Sequence, residues 1–113
     1  MKISLKGYGE NTATFKINTE IKGGEPVYME ENFTVMPCTA NSDFIGAAVN
    51  SRDGYACIQL SGYVKFSYTG SNPDVGLCSL LADGNGGVRV DENGRRFVVT
   101  DVDTDNKTVG IIL

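Results

Sequence analysis

Histidine and tryptophan are both missing from this sequence of 113 residues, and proline occurs only three times. Without histidine the chain has no Ser–His or Cys–His nucleophile pair, and it lacks the commonest general base and the commonest metal ligand. Two carboxylates alone can hydrolyse a glycoside. That chemistry needs a cleft, however, and a chain this short has little wall from which to build one. The expectation is a protein with no catalytic residue, no cofactor and no metal ion. Without tryptophan, a large aromatic platform for stacking on a sugar ring is also missing.

Long apolar runs are absent as well. No stretch approaches the roughly 20 apolar residues of a membrane helix. The opening Met1-Lys2-Ile3-Ser4-Leu5-Lys6-Gly7 carries no apolar run of signal-peptide length. The reading is of a chain made in, and at first kept in, a reducing cytoplasm, with no membrane partner. Basic residues are few: ten Lys and Arg stand against 14 Asp and Glu, for a net charge of −4. They are scattered apart from Arg95-Arg96, so nucleic acid is not an expected partner. The three cysteines, Cys38, Cys57 and Cys78, are odd in number and 19 and 21 residues apart. That spacing matches neither a disulfide framework nor a C-x-x-C ligand pair. Each lies in or beside an apolar stretch, where a free cysteine serves as a small hydrophobe.

What the chain does have is glycine, 14 residues of it, in a composition 41% hydrophobic and 21% charged. That balance folds, and glycine without a collagen-like period means many tight turns between short strands. The length suits one domain of ordinary size.

The apolar period is two almost throughout. Ala13, Phe15, Ile17 and Ile21 alternate with polar neighbours, as a strand with one buried face requires. From 58 to 68, Ile58, Leu60, Val64, Phe66 and Tyr68 point one way. Gln59, Ser61, Tyr63, Lys65 and Ser67 point the other. Gly62 interrupts the buried row without shifting its phase, which predicts a bend, a bulge or a close backbone. Gly23-Gly24, Glu30-Glu31-Asn32, Asp53-Gly54, Ser71-Asn72-Pro73-Asp74, residues 83–87 and Glu92-Asn93-Gly94 all read as turns. Apolar alternation resumes at Val109, Ile111 and Leu113. Ser79-Leu80-Leu81-Ala82 is at most one turn of helix. The fold expected is all-β, a small β-barrel or β-sandwich of short antiparallel strands with little or no helix. Residues 12–113 form one barrel-like unit with no clean internal repeat, and residues 1–11 form an arm or an edge strand.

Two acidic stretches invite a calcium reading. Asp101, Asp103 and Asp105 alternate as at the start of an EF-hand loop, but Asn106 replaces its glycine and Ile112 its final glutamate. Residues 83–87 begin similarly and reach Gly94 where that glutamate belongs. Both read as solvated turns. Tyr63, opposite the core row of its strand, and Tyr8 and Tyr55, beside glycine turns, are the candidate exposed aromatics. They suit a protein interface as readily as a glycan.

Gly24-Glu25-Pro26-Val27, then Phe44-Ile45-Gly46-Ala47-Ala48, then Asp53-Gly54 leading into residues 58–64, follow a familiar order. So do Val75-Gly76-Leu77, Leu81-Ala82-Asp83-Gly84, Gly87-Val88 and the closing residues 108–113. Over about residues 20–113 the chain resembles the small capsid decoration proteins of tailed bacteriophages and prophages. The resemblance implies a β-barrel-like protein without cofactor or catalysis. Such a protein binds the major capsid protein lattice outside the head, as a homo-oligomer and often a trimer. It would be found in the bacterial host cytoplasm during assembly and then on the virion. Strand edges and an N-terminal arm would add to a neighbour's sheet by backbone pairing. In that setting Ile3, Leu5 and Tyr8 would anchor the arm and Tyr63 would contact the partner. A competing expectation is a receptor- or glycan-binding β-module of a phage tail tip or fibre.

Overall fold

The computed structural model describes residues 10–113, over which ten strands follow one another. These are β1 (Asn11–Ile17), β2 (Pro26–Glu31), β3 (Thr34–Pro37), β4 (Gly46–Arg52) and β5 (Tyr55–Ser61). After them come β6 (Tyr63–Thr69), β7 (Gly76–Ala82), β8 (Val88–Val90), β9 (Arg95–Asp103) and β10 (Thr108–Ile112). No helix forms among the described residues. Ser79-Leu80-Leu81-Ala82, flanked by glycine turns, extends as part of β7.

The strands close into two rings of five, in the orders β1-β3-β2-β4-β5 and β6-β8-β7-β9-β10. Adding five to each strand number converts the first order into the second. Their senses agree too: β1–β3 and β6–β8 are parallel, and every other pair is antiparallel. Even the irregularity recurs. Val49 bulges from β4 against β5, and Thr100 bulges from β9 against β10. Counting from those bulges, Ala48 matches Val99, Ile58 matches Ile111 and Cys57 matches Gly110. Phe15 then matches Phe66, and Ile17 matches Tyr68. Where the sequence suggests one barrel-like unit, the chain closes two, duplicated in topology and in only a few of its residues.

Gly62 marks the joint. The expected single strand over 58–68 is the last strand of one barrel and the first of the next. Gly62 between them has φ 89, a left-handed value open to glycine without a Cβ penalty. Gln59, placed by alternation on the polar face, is instead buried at 8% exposure. Its Nε2 donates to the carbonyls of Ser61 and Tyr63 across the joint, at 3.0 and 2.8 Å. Closure is brief in places: β1 meets β3 only at Lys16–Thr34 and Ile17–Val35, and β2 meets β4 only at Pro26–Ala47 and Val27–Gly46, so parts of these strand edges carry no ladder partner.

The first barrel is filled by Ile17, Ile21, Val27, Val35, Ala48, Ala56 and Ile58. The second holds Phe66, Tyr68, Leu80, Val88, Phe97, Val99, Val109 and Ile111, and also takes Phe44 and Ala47 from the first half of the chain. Phe44 reads as the start of a strand but sits in the connection before β4. It stacks on Phe97 at 5.0 Å and meets Phe66 edge-on at 5.3 Å. Its connection is held down by backbone bonds from Asn41 N to Ala82 O and from Ala82 N to Ser42 O, both 2.9 Å. Burying a phenylalanine this fully contributes about 1.5–3 kcal/mol, so this connection clasps the two barrels together.

Candidate functional site

Direct register partners on neighbouring antiparallel strands project from the same face. In the second barrel, Leu77 pairs with Val98, Val98 with Ile112, and Ile112 with Tyr63. The adjoining row, Val99, Ile111 and Val64, belongs to the core, so the Leu77 row faces outward. It is apolar yet open: Leu77 is 57% exposed and Val98 46%, with Val75 at 68% just before β7. The sequence reading missed Leu77 and Val98. The signal was there, because Phe97-Val98-Val99 is apolar on both faces of one strand, which simple alternation never produces.

Tyr63, the described member of the expected partner-binding set, closes this row and is only half-buried. Its hydroxyl donates to Asp101, 3.0 Å from Oδ1 and 3.3 Å from Oδ2. Thr100 Oγ1 donates to the same Oδ1 at 2.6 Å. Burial, the hydrogen bond to Asp101 and that carboxylate's charge push the phenol up to about 12. Gly110 lies beneath, where a Cβ would overlap both Asp101 Oδ1 and the Tyr63 hydroxyl. Tyr63 is thus tied to its own sheet. Ile3, Leu5 and Tyr8 lie outside the described residues.

A second exposed group gathers at one end of the first barrel. Phe33 and Tyr55 are 78% and 56% exposed and lie on either side of β1, where Lys16 pairs with Thr34 and with Tyr55. Phe33 also carries a φ of 57, an uncommon conformation for a bulky side chain and one that costs on the order of 1–2 kcal/mol. Met29, 41% exposed, precedes it on the β2–β3 hairpin with Glu30 and Glu31.

The acidic stretches serve their own turns. Asp103 accepts from the backbone N–H of Asp105 and Asn106 and from Asn106 Nδ2, and these bonds hold its carboxyl below the ordinary value. Asp83 accepts from the N–H of Asn85 and Gly87, and Asp101 serves Tyr63. Among the described residues no three His, Cys, Asp or Glu side chains gather as a metal would need. The three cysteines are free thiols, and burial pushes the Cys38 thiol up to about 11, far from a reactive thiolate. One open hollow of about 230 Å³ borders Ile17, Glu20 and the Asp53-Gly54 hairpin. Another of about 440 Å³ lies under Arg95, against Phe44 and Phe97.

These features define a class: a tandem of closed β-barrels whose distinctive surfaces are apolar and aromatic patches. In comparison with known proteins, the chain matches no family model and no curated protein.

Proposed function

We propose that this chain is a non-enzymatic virion structural protein that decorates the outside of a bacteriophage or prophage head. It binds the major capsid protein lattice as a homo-oligomer, a trimer on the family resemblance. The observation that carries the reading is the pair of closed barrels, clasped through the Phe44 connection, presenting apolar and aromatic side chains outward. Such a body offers rigid contact surface, and many copies on one lattice turn weak contacts into firm attachment. The protein would act in the host cytoplasm during assembly and thereafter on the virion.

The test is co-sedimentation with head shells assembled from the major capsid protein encoded nearest this chain. Saturable binding that leaves shells harder to disrupt by heat is expected. Shells that pellet without it, across the concentration range, overturn the reading.

A second reading, receptor or glycan binding at a tail tip or fibre, is favoured by one observation: Phe33 and Tyr55 share one end of the first barrel. Titration with a saccharide panel, followed by tyrosine fluorescence, separates the two. Saturable quenching that Tyr55→Ala abolishes, in a protein that ignores shells, would put glycan binding in first place.

A further inference from the structure

We infer that the open Leu77–Val98–Ile112 row of the second barrel is the docking face for the β2–β3 hairpin of a second copy of this chain. The inference rests on the oligomer in the functional reading and assigns the surfaces that build it.

The duplication supplies the first argument. Matched through the two bulges, Leu77, Val98 and Ile112 correspond to Pro26, Ala47 and Gln59 of the first barrel, one row in the same register. In the first barrel that row is buried, and Ala47 packs into the core of the second. In the second barrel the same row holds larger apolar side chains, with Leu77 and Val98 exposed and Ile112 half-buried. One repeat's row is covered by the repeat that follows it in the chain, so the last repeat's row is left for a repeat from another molecule.

The second argument is what the first barrel presents. Phe33 is the most exposed large apolar side chain among the described residues. It occupies a positive-φ turn position where glycine would relieve strain. Strain of this kind persists where a side chain is used, and among the described residues the ring stays 78% exposed. Charge completes the match. Glu30 and Glu31 flank Met29 and Phe33, while Arg96, two residues before Val98, projects from the same outer face. The ion pairs among the described residues, Arg52–Asp53 and Arg89–Asp91, engage none of these three. Hairpin against row is a head-to-tail contact between unlike surfaces, and such contacts close into rings when the rotation permits.

Light scattering coupled to size exclusion reads the result. The wild type is expected as a closed oligomer. Phe33→Gly and Leu77→Asp are each expected to be monomeric, with association weakened ~30-fold or more, as for loss of a hot-spot side chain. Phe33→Gly should melt no lower than the wild type, because glycine fits the turn. This keeps the test independent of any folding defect in Leu77→Asp. Mixed together, the two variants should give a dimer and nothing larger, since one intact hairpin and one intact row remain. A monomeric wild type, an unchanged mass in either variant, or a mixture that stays monomeric overturns the assignment. So does an oligomer that dissolves both on deletion of residues 1–9 and with Leu77→Asp while Phe33→Gly leaves it whole, which would give the row to that segment. Shell binding is scored separately. An oligomer that ignores shells sinks the decoration reading alone, and a shell-binding monomer sinks the hairpin contact alone.

Discussion

The two barrels share every strand connection and differ in almost everything that fills them. The first is packed with Val27, Val35, Ala48, Ala56 and three isoleucines, all from its own half of the chain. The second is built around aromatic rings, and one of these, Phe44, is lent by the first. The difference teaches that ring closure and core content are separable. Register, parallel crossover and bulge define the topology, while side-chain volume can be redistributed between neighbours. The dependence is also one-way, because the first barrel's core takes no side chain from the second.

Phe44→Ala breaks that dependence most directly. Truncating a buried phenylalanine costs about 3–5 kcal/mol, which is a large part of the stability of a domain this size. The substituted residue precedes β4, yet the loss should fall on the second barrel. Hydrogen exchange is expected to show amide protection dropping in β6–β10 while β1–β5 keep more of theirs. Equal loss in both barrels would mean that they unfold as one unit and that the borrowed ring does not mark a boundary.

Position 110 gives the next largest contrast. Its match in the first barrel, Cys57, carries a side chain without difficulty, whereas a Cβ at Gly110 overlaps the Tyr63–Asp101 pair. Gly110→Ala should therefore cost about 1–3 kcal/mol by overpacking, and Cys57→Ala less than about 1.5 kcal/mol as a small truncation. Denaturant midpoints decide between them, and equal costs would show that the hydroxyl–carboxylate pair moves aside freely. At the joint, Gly62→Ala forces a Cβ onto a φ of 89. It should lower stability by about 1–2 kcal/mol, read as a drop in Tm. No drop would mean that the barrels can reorient about this residue.

Much of the strand content was legible, because turns with a stereochemical mechanism announce themselves. Asp53 and Gly54 take the positive φ values of 54 and 83 that their pairing suggests, and Val109 and Ile111 are buried as their alternation requires. The duplication was hidden because few matched positions keep their residue: Phe15 stands for Phe66 and Ile58 for Ile111, but Ala48 stands for Val99 and Cys57 for Gly110. Topology repeats where hydrogen bonds repeat, and those belong to the backbone. Residues 58–68 misled for a related reason. A bend at a positive-φ glycine preserved the alternation across it, so two strands of different barrels read as one. Phe44 looked like strand because an apolar side chain in a connection has the same letter as one in a sheet. The partner-facing candidates fared unevenly. Tyr63 sits at the end of the exposed row but is held by Asp101, and Leu77 and Val98 beside it were visible only as an apolar run too continuous for a half-exposed strand.

The smallest expected effect isolates that tyrosine. Its register match in the first barrel is Thr12, so the hydroxyl–carboxylate lock exists on one side of the duplication only. Folding raises the Tyr63 pKa to about 12 from an ordinary value of about 10, so the native state holds the phenolic proton more tightly than the unfolded chain does. The stability this provides is fully present below about pH 10 and is lost as pH rises through the folded value. Lysines titrate in the same range, so the informative quantity is a difference between proteins. Urea midpoints at about pH 9 and about pH 11 should fall further for the wild type than for Tyr63→Phe, which has no proton to release. The gap should be small, because the side chain is only half-buried and solvent screens its neighbour's charge. A Tyr63→Phe variant with the full alkaline loss of the wild type would place the alkaline weakness elsewhere in the barrels and reduce the Asp101 contact to a surface hydrogen bond.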